Sequence, residues 1–298
     1  MNYRNLPKTD LKISEIGFGC MSLDLDAPGN EKLIMHAVDS GVNYFDTADL
    51  YDKGANEELV GKALKNVRKD IILATKVGNE WLPDGSTWRW NPSKEYILSA
   101  IDKSLKRLQT DYIDIYQLHG GTIEDNMDEV IDAFESLKKS GKIRHYGISS
   151  IRPNVIRAFC AKSNMVSDML QYSLLDRRPE EEMLDYLNEN QVGVFARGAL
   201  AKGLLAEKPA QAYMNHSEQD ITSVQAALAQ LTTSSRTKGQ VAFQYVLANK
   251  TVTSAIVGIR TMEQLQEAVG AGECPALTSS ELSLLQNSVA AARYTAHR

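Results

Sequence analysis

The strongest constraint on this chain is an alternation in which short apolar runs are each followed by an amphipathic stretch of helical period, eight times over. "SEIGFGC" reads as a short strand, and "EKLIMHAVDSG" as a helix closed by Gly41. "NYFDTA" precedes "NEELVGKALKN", "DIILATKVG" precedes "SKEYILSAIDKSLKRL", and "DYIDIYQLH" precedes "MDEVIDAFESLKKSG". "IRHYGISS" leads into "PNVIRAFCAKS", and "SDMLQYS" into "PEEEMLDYLNENQ". "GVFARGAL" is followed by a long segment and "KGQVAFQYVLANK", and "TSAIVGIR" by "MEQLQEAVGA".

Strands alternating with helices pair in parallel through crossover helices. Eight such units in 298 residues predict an α/β fold, a (β/α)8 TIM barrel, over an open sheet. Two short β-like pieces around Lys8-Thr9-Asp10 predict an N-terminal hairpin plugging the barrel bottom. Leu204 to Lys238 is expected as a long loop after strand seven, its second half "SVQAALAQLTTSS" helical, and "SSELSLLQNSVAAARYTAHR" as a C-terminal helix with a frayed end. Without a linker or low-complexity segment, one domain is expected across residues 1–298.

Composition narrows the function. Lys+Arg of 33 against Asp+Glu of 38 gives a formal charge of -5, poorly suited to nucleic acid, and no basic cluster offsets it. No leader-like or membrane-spanning apolar run is expected. Cys20, Cys160 and Cys274 are too scattered for a disulfide framework or metal knuckle, so a cytoplasmic location with reduced thiols is expected. The five histidines show no metal-ligand spacing, and no metal is expected.

Barrel chemistry sits at the C-terminal strand ends. Strand two ends on Asp46, strand three carries Lys76 near its end, strand four ends on His119, and Tyr51 lies in the loop after strand two. Singly, each has an ordinary explanation: a turn former, a solvated strand end, an interior histidine, a half-buried aromatic. In a barrel they converge on one rim. A free phenol titrates near about 10 and is a reluctant acid at neutral pH. A neighbouring lysine favours the phenolate, so Tyr51 is expected to ionise more easily than usual, with Asp46 holding Lys76 charged. His119 would hydrogen-bond a substrate oxygen. Such a set suits protonation of a developing alkoxide, with hydride from an organic donor.

These residues, in "DTADLYDKGANEELVGKAL", "ATK" and "QLH", resemble the aldo-keto reductase superfamily, and the similarity runs from Gly17 to Gln264. The resemblance implies a catalytic set of Asp46, Tyr51, Lys76 and His119, with Tyr51 as general acid, acting on a small-molecule aldehyde or ketone with NADPH (NADP+). It implies that Ser149 and Gln171 hold the nicotinamide carboxamide. "ARGALAKGLL" matches the stretch around the pyrophosphate, which makes Ala196, Gly198, Ala199, Leu200, Lys202 and Gly203 candidates. Gly258, Arg260, Gln264 and Glu267 match the adenosine-phosphate end, where a guanidinium suits a 2′-phosphate. Gly19 in strand one, and Met21 following it, are expected near the cofactor or in packing.

Two positions depart from the pattern. Ser150 stands where the family often has Asn, its hydroxyl expected to replace an amide contact in part, and Ala268 also stands in place of Asn. "GFGCMS" lacks the third glycine and the context of a dinucleotide turn. Trp81, Trp88 and Trp90 crowd the loop after strand three, as pocket wall or as structural packing. The competing readings are a non-catalytic nucleotide-binding regulatory subunit and a barrel enzyme using Lys76 as a Schiff base. Monomer and homo-oligomer both stay open.

Overall fold

The computed structural model describes residues 1–298. A hairpin of β1 (Tyr3–Asn5) and β2 (Lys12–Ser14) comes first. Barrel strands one and two are β3 (Ile16–Gly19) and β4 (Tyr44–Asp46), separated by α1 (Asn30–Asp39). After α2 (Ala55–Leu64) come β5 (Ile72–Val77), a hairpin of β6 (Asn79–Trp81) and β7 (Trp88–Trp90), and α3 (Lys94–Leu108). The alternation continues through β8 (Ile113–Leu118), α4 (Met127–Lys139), β9 (Ile143–Ile148), α5 (Pro153–Lys162), β10 (Ser167–Gln171) and α6 (Met183–Glu189). It ends with β11 (Gly193–Arg197), α7 (Glu218–Leu231), α8 (Lys238–Leu247), β12 (Val252–Gly258), α9 (Met262–Gly270) and α10 (Ser279–Asn287).

The eight strands β3, β4, β5, β8, β9, β10, β11 and β12 close into a parallel barrel in chain order, the fold expected from the alternation. Even the short β3 pairs on both sides, with β12 and β4. Alternation along each strand splits the core in two. Tyr44, Ile72, Ala74, Ile115, Met169, Phe195 and Ile256 fill the interior together with Leu6, Leu11 and Ile13 of the hairpin, which plugs the bottom as expected. Their outward neighbours meet the helices in a larger cluster. Each fully buried Leu, Ile or Phe contributes about 1.5–3 kcal/mol.

The region after strand seven holds α7 in its second half; of the expected helix "SVQAALAQLTTSS", it takes "SVQAALAQL" and ends at Leu231, leaving "TTSS" outside, and Ser217 caps it through a reciprocal capping box with Asp220. The loop expected after strand three is instead the β6–β7 hairpin, reversed at Pro83-Asp84-Gly85. No helix is long and apolar enough to cross a membrane.

Candidate active site

The upper barrel layer continues the inward parity of the core. Asp46 lies two residues beyond Tyr44, Lys76 two beyond Ala74, Gln171 two beyond Met169 and Arg197 two beyond Phe195. Lys76, 1% exposed, forms the hub. Its ammonium donates to Asp46 Oδ2 at 2.5 Å, to the Thr47 carbonyl at 2.7 Å and to Tyr51 Oη at 3.3 Å. An ammonium has three protons, so this geometry commits all of them. Gln117 Nε2 donates to the other Asp46 oxygen at 3.4 Å.

Tyr51 is delivered by a strained turn. Asp52 and Lys53 follow it with φ of 48° and 56°, both left-handed, before Gly54 at 92°. Left-handed backbone costs an L-residue about 1–2 kcal/mol, and such strain gathers at functional sites. The Tyr51 ring meets His119 edge-on, with centroids 5.7 Å apart. His119 Nδ1 is buried with no partner.

Charges here differ from their solution values. Burial holds the Lys76 ammonium down, but Asp46 and Tyr51 outweigh it and the net shift is upward. Burial raises Asp46, and Lys76 opposes it. Burial first, then the charges of Lys76 and Arg197, push His119 down to about 3 and keep it neutral. Tyr51 overturns an expectation: burial raises its phenol above the ordinary value, and Lys76 offsets this only in part. The lysine restrains the rise and does not reverse it.

The other expected residues divide. Ser149 is half-buried at the end of β9, its N–H donating to the Leu118 carbonyl at 2.8 Å. Ser150 is buried, and its hydroxyl accepts from the Arg152 N–H at 3.2 Å at the start of α5. Gln171 stands at the mouth, its Nε2 donating to Asp176 at 2.9 Å and to Tyr213 at 3.4 Å. Ala196 in β11 and Ala199 just after it are buried, Leu200 and Gly203 are half-buried, and Gly198 and Lys202 are exposed. Ala201 and Lys202 repeat the Tyr51 turn, with left-handed φ of 46° and 59° before Gly203 at 94°.

Gly258, the last residue of β12, and Arg260 beyond it are exposed, and the Arg260 N–H donates to Gln264 Oε1 at 2.9 Å. Glu267 accepts from Thr237 Oγ1 at 2.7 Å at the α8 cap. Ala268 is buried in the helix layer. Gly19 is buried against Val257, and Met21 is 63% exposed.

The tryptophans split their duties. Trp81 Nε1 donates to the Leu50 carbonyl at 3.1 Å, beside the Tyr51 turn, with Lys53 over its ring. Trp90 packs over Gly78 and Gly120 and donates to Asp125 at 2.9 Å, while Trp88 is 47% exposed. Two polar residues of the site went unread in the sequence. Arg197 donates to Gln171 Oε1 at 3.0 Å, and Asp49, under the Tyr51 turn, accepts from Tyr96 at 3.2 Å. Strand parity from Phe195 was a sufficient signal for Arg197; Asp49 carried none.

Against known proteins, the model of the aldo/keto reductase family matches residues 15–290. The "Uncharacterized oxidoreductase YqkF" of Bacillus subtilis is 50% identical over 307 residues, covering 100% of both chains. The "Aldo-keto reductase yakc [NADP(+)]" of Schizosaccharomyces pombe is 30% identical over 284 residues, 87% of this chain and 84% of that one. Among solved structures, the holo form of aldo-keto reductase AKR11C1 from Bacillus halodurans superposes with a TM-score of 0.94 at 47% identity, covering 100% of this chain and 99% of that one.

Proposed function

The chain belongs to the aldo/keto reductase family, and on that premise we propose that it is an NADPH-dependent oxidoreductase that interconverts an aldehyde or ketone and its alcohol, with Tyr51 as general acid. The observation that carries this reading is the buried hub in which one ammonium joins Asp46 and Tyr51 beside a neutral His119. The same hub weighs against a Schiff base. An imine needs an unprotonated amine, whereas all three Lys76 protons are engaged and its pKa is raised.

The residues at the ends of strands five to eight fit a nicotinamide dinucleotide. Ser149 and Gln171 offer polar groups to a carboxamide. The Leu200–Gly203 turn, strained like the Tyr51 turn, offers backbone, and the exposed Lys202 and Arg260 suit phosphates. A relative named for NADP(+) supports the phosphorylated form. When bound, the reduced nicotinamide supplies hydride to the carbonyl carbon. Tyr51 donates its proton to the carbonyl oxygen, and its raised pKa keeps that proton in place at neutral pH. The ammonium of Lys76 stabilises the phenolate left behind, and Asp46 holds the ammonium in position. His119, neutral, steers the carbonyl oxygen toward Tyr51. Trp81 walls the pocket beside Tyr51. Three cysteines without a disulfide suit a reducing compartment such as the cytoplasm.

The test is a fluorescence titration with NADPH and with NADH, followed by an aromatic aldehyde. Tighter NADPH binding, with cofactor oxidation on adding the aldehyde, is expected. Tyr51→Phe should keep NADPH binding and lose turnover on the order of 10²–10⁴-fold. Near-normal turnover in that variant would remove Tyr51 from its role.

A further inference from the structure

Gln171, the last residue of β10, has the two ends of its amide held by charges of opposite sign. Its Nε2 donates to Asp176 Oδ2 at 2.9 Å, and its Oε1 accepts from Arg197 at 3.0 Å. A carboxylate only accepts and a guanidinium only donates, so a flipped amide would lose both bonds. Asp176 is fully buried, and Arg178 grips it in a fork, Nε to Oδ1 and Nη2 to Oδ2, each at 2.7 Å. The Asp176 backbone is fixed as well, exchanging N–H···O bonds with Ser173 at 3.0 and 3.2 Å. The C-terminal tail lies against this pair. The Arg178 guanidinium is 5.4 Å from the centre of the Tyr294 ring, and Glu181 accepts from the Tyr294 N–H at 3.2 Å and from Arg298 at 3.0 Å.

The Asp176 side chain accepts only from Arg178 and Gln171, and forms no bond to the Lys76 hub. Its carboxylate draws on one N–H of the Gln171 amide while Arg197 draws on the carbonyl. Both polarise the amide in the same sense and make Oε1 a stronger acceptor. The second Gln171 N–H meets Tyr213 Oη at 3.4 Å and Met214 Sδ at 3.7 Å. Oε1 accepts nothing from the protein besides Arg197, so one of its two lone pairs stays open to a donor.

The next step rests on the function proposed above, in which Gln171 holds the nicotinamide carboxamide. A carboxamide carries both an NH2 donor and a carbonyl acceptor, and a freely turning glutamine could answer either. We propose that Asp176 is a positioning residue that fixes the Gln171 amide in one orientation, making its oxygen the acceptor for the carboxamide NH2. The site then discriminates against a cofactor whose ring bears an acyl group without that NH2. One hydrogen bond made or missed in a half-exposed mouth corresponds to about tenfold in affinity.

The experiment measures dissociation constants of NADPH and of its reduced 3-acetylpyridine analogue, in which a methyl group replaces the NH2, by intrinsic fluorescence. The proteins are the wild type, Asp176→Asn and Gln171→Met, each checked for folding by circular dichroism. The wild type should bind NADPH about tenfold more tightly than the analogue. The asparagine amide can donate as well as accept, so Gln171 is free to turn in Asp176→Asn and the two constants should converge. Equal weakening of both nucleotides, with the ratio kept, would overturn the proposal and confine Asp176 to holding its loop. A wild type that binds both alike would overturn it too. If Asp176→Asn fails to fold, Asp176→Asn with Arg178→Gln deletes both charges of the pair together, and its ratio is judged by the same outcomes. A wild-type ratio in Gln171→Met would remove Gln171 from the carboxamide, and this inference with it, while the role of Tyr51 stands on its own turnover test. A wild type that binds neither nucleotide would instead refute the oxidoreductase reading.

Discussion

Replacing Lys76 by methionine removes the charge at the centre of the site and keeps most of the side-chain volume. Asp46, itself buried, would then face only the Gln117 amide at 3.4 Å. Removing one partner of a buried ion pair costs about 3–5 kcal/mol, because the other charge stays buried and uncompensated. Asp46 relieves part of this by taking up a proton. Burial already raises its carboxyl, and loss of Lys76 raises it further. The penalty should therefore be smaller at about pH 5 than at about pH 8.

Asp46→Asn combined with Lys76→Met deletes both charges and should recover most of the lost stability. Activity should part company with stability. Both variants leave the Tyr51 phenolate without the ammonium that lies 3.3 Å from its oxygen, so turnover should stay depressed on the order of 10²–10⁴-fold in each. Urea denaturation at the two pH values, with aldehyde-dependent loss of nicotinamide absorbance at saturating cofactor, measures both quantities. A single variant as stable as wild type would refute the buried-pair energetics. A double variant with wild-type turnover would refute a chemical role for the Lys76 charge.

His119, pushed down to about 3, should stay neutral through the working range. The profile of kcat/KM between about pH 5 and 8 should then lack a histidine break near about 6.5; a break there that His119→Gln abolishes would contradict this. Asp49 is raised by burial, and next by Glu57, from 3.8 to about 8. The folded protein holds that proton more tightly than the unfolded chain, so the contribution is full below 3.8 and lost as pH rises to about 8. Asp49→Asn, which still accepts from Tyr96, should gain on the order of a few kcal/mol over wild type above that window in denaturation at graded pH. An added Cβ at Gly61 would lie 2.5 Å from the Leu108 backbone of α3. Gly61→Ala should cost about 1–3 kcal/mol, and a melting temperature equal to wild type would show that α2 shifts freely.

The fold was legible because a barrel repeats one local rule. Each apolar run had a helix behind it, and closure places every strand end on the same rim. Asp46, Lys76, Tyr51 and His119 could therefore be brought together from the sequence, and the structure places Lys76 against both Asp46 and Tyr51. The β6–β7 hairpin was missed although Pro83-Asp84-Gly85 is a turn signal; three tryptophans among loop-forming residues hid its short strands. The hydrogen-bond partners of Ser150 and Glu267 were not legible. Which way a hydroxyl or carboxylate turns depends on nearby helix ends, here Arg152 and Thr237, that a linear reading does not locate.

The sign of the Tyr51 shift failed for a related reason. A lysine beside a phenol was visible in the sequence, but the depth of the phenol was not, and burial is the larger effect. Charge at the mouth follows the same logic. The sequence shows which ionisable groups share the rim. Only distances show which of them cancel: Asp46 spends itself on Lys76, Asp176 on Arg178, and Arg197 is left with an amide.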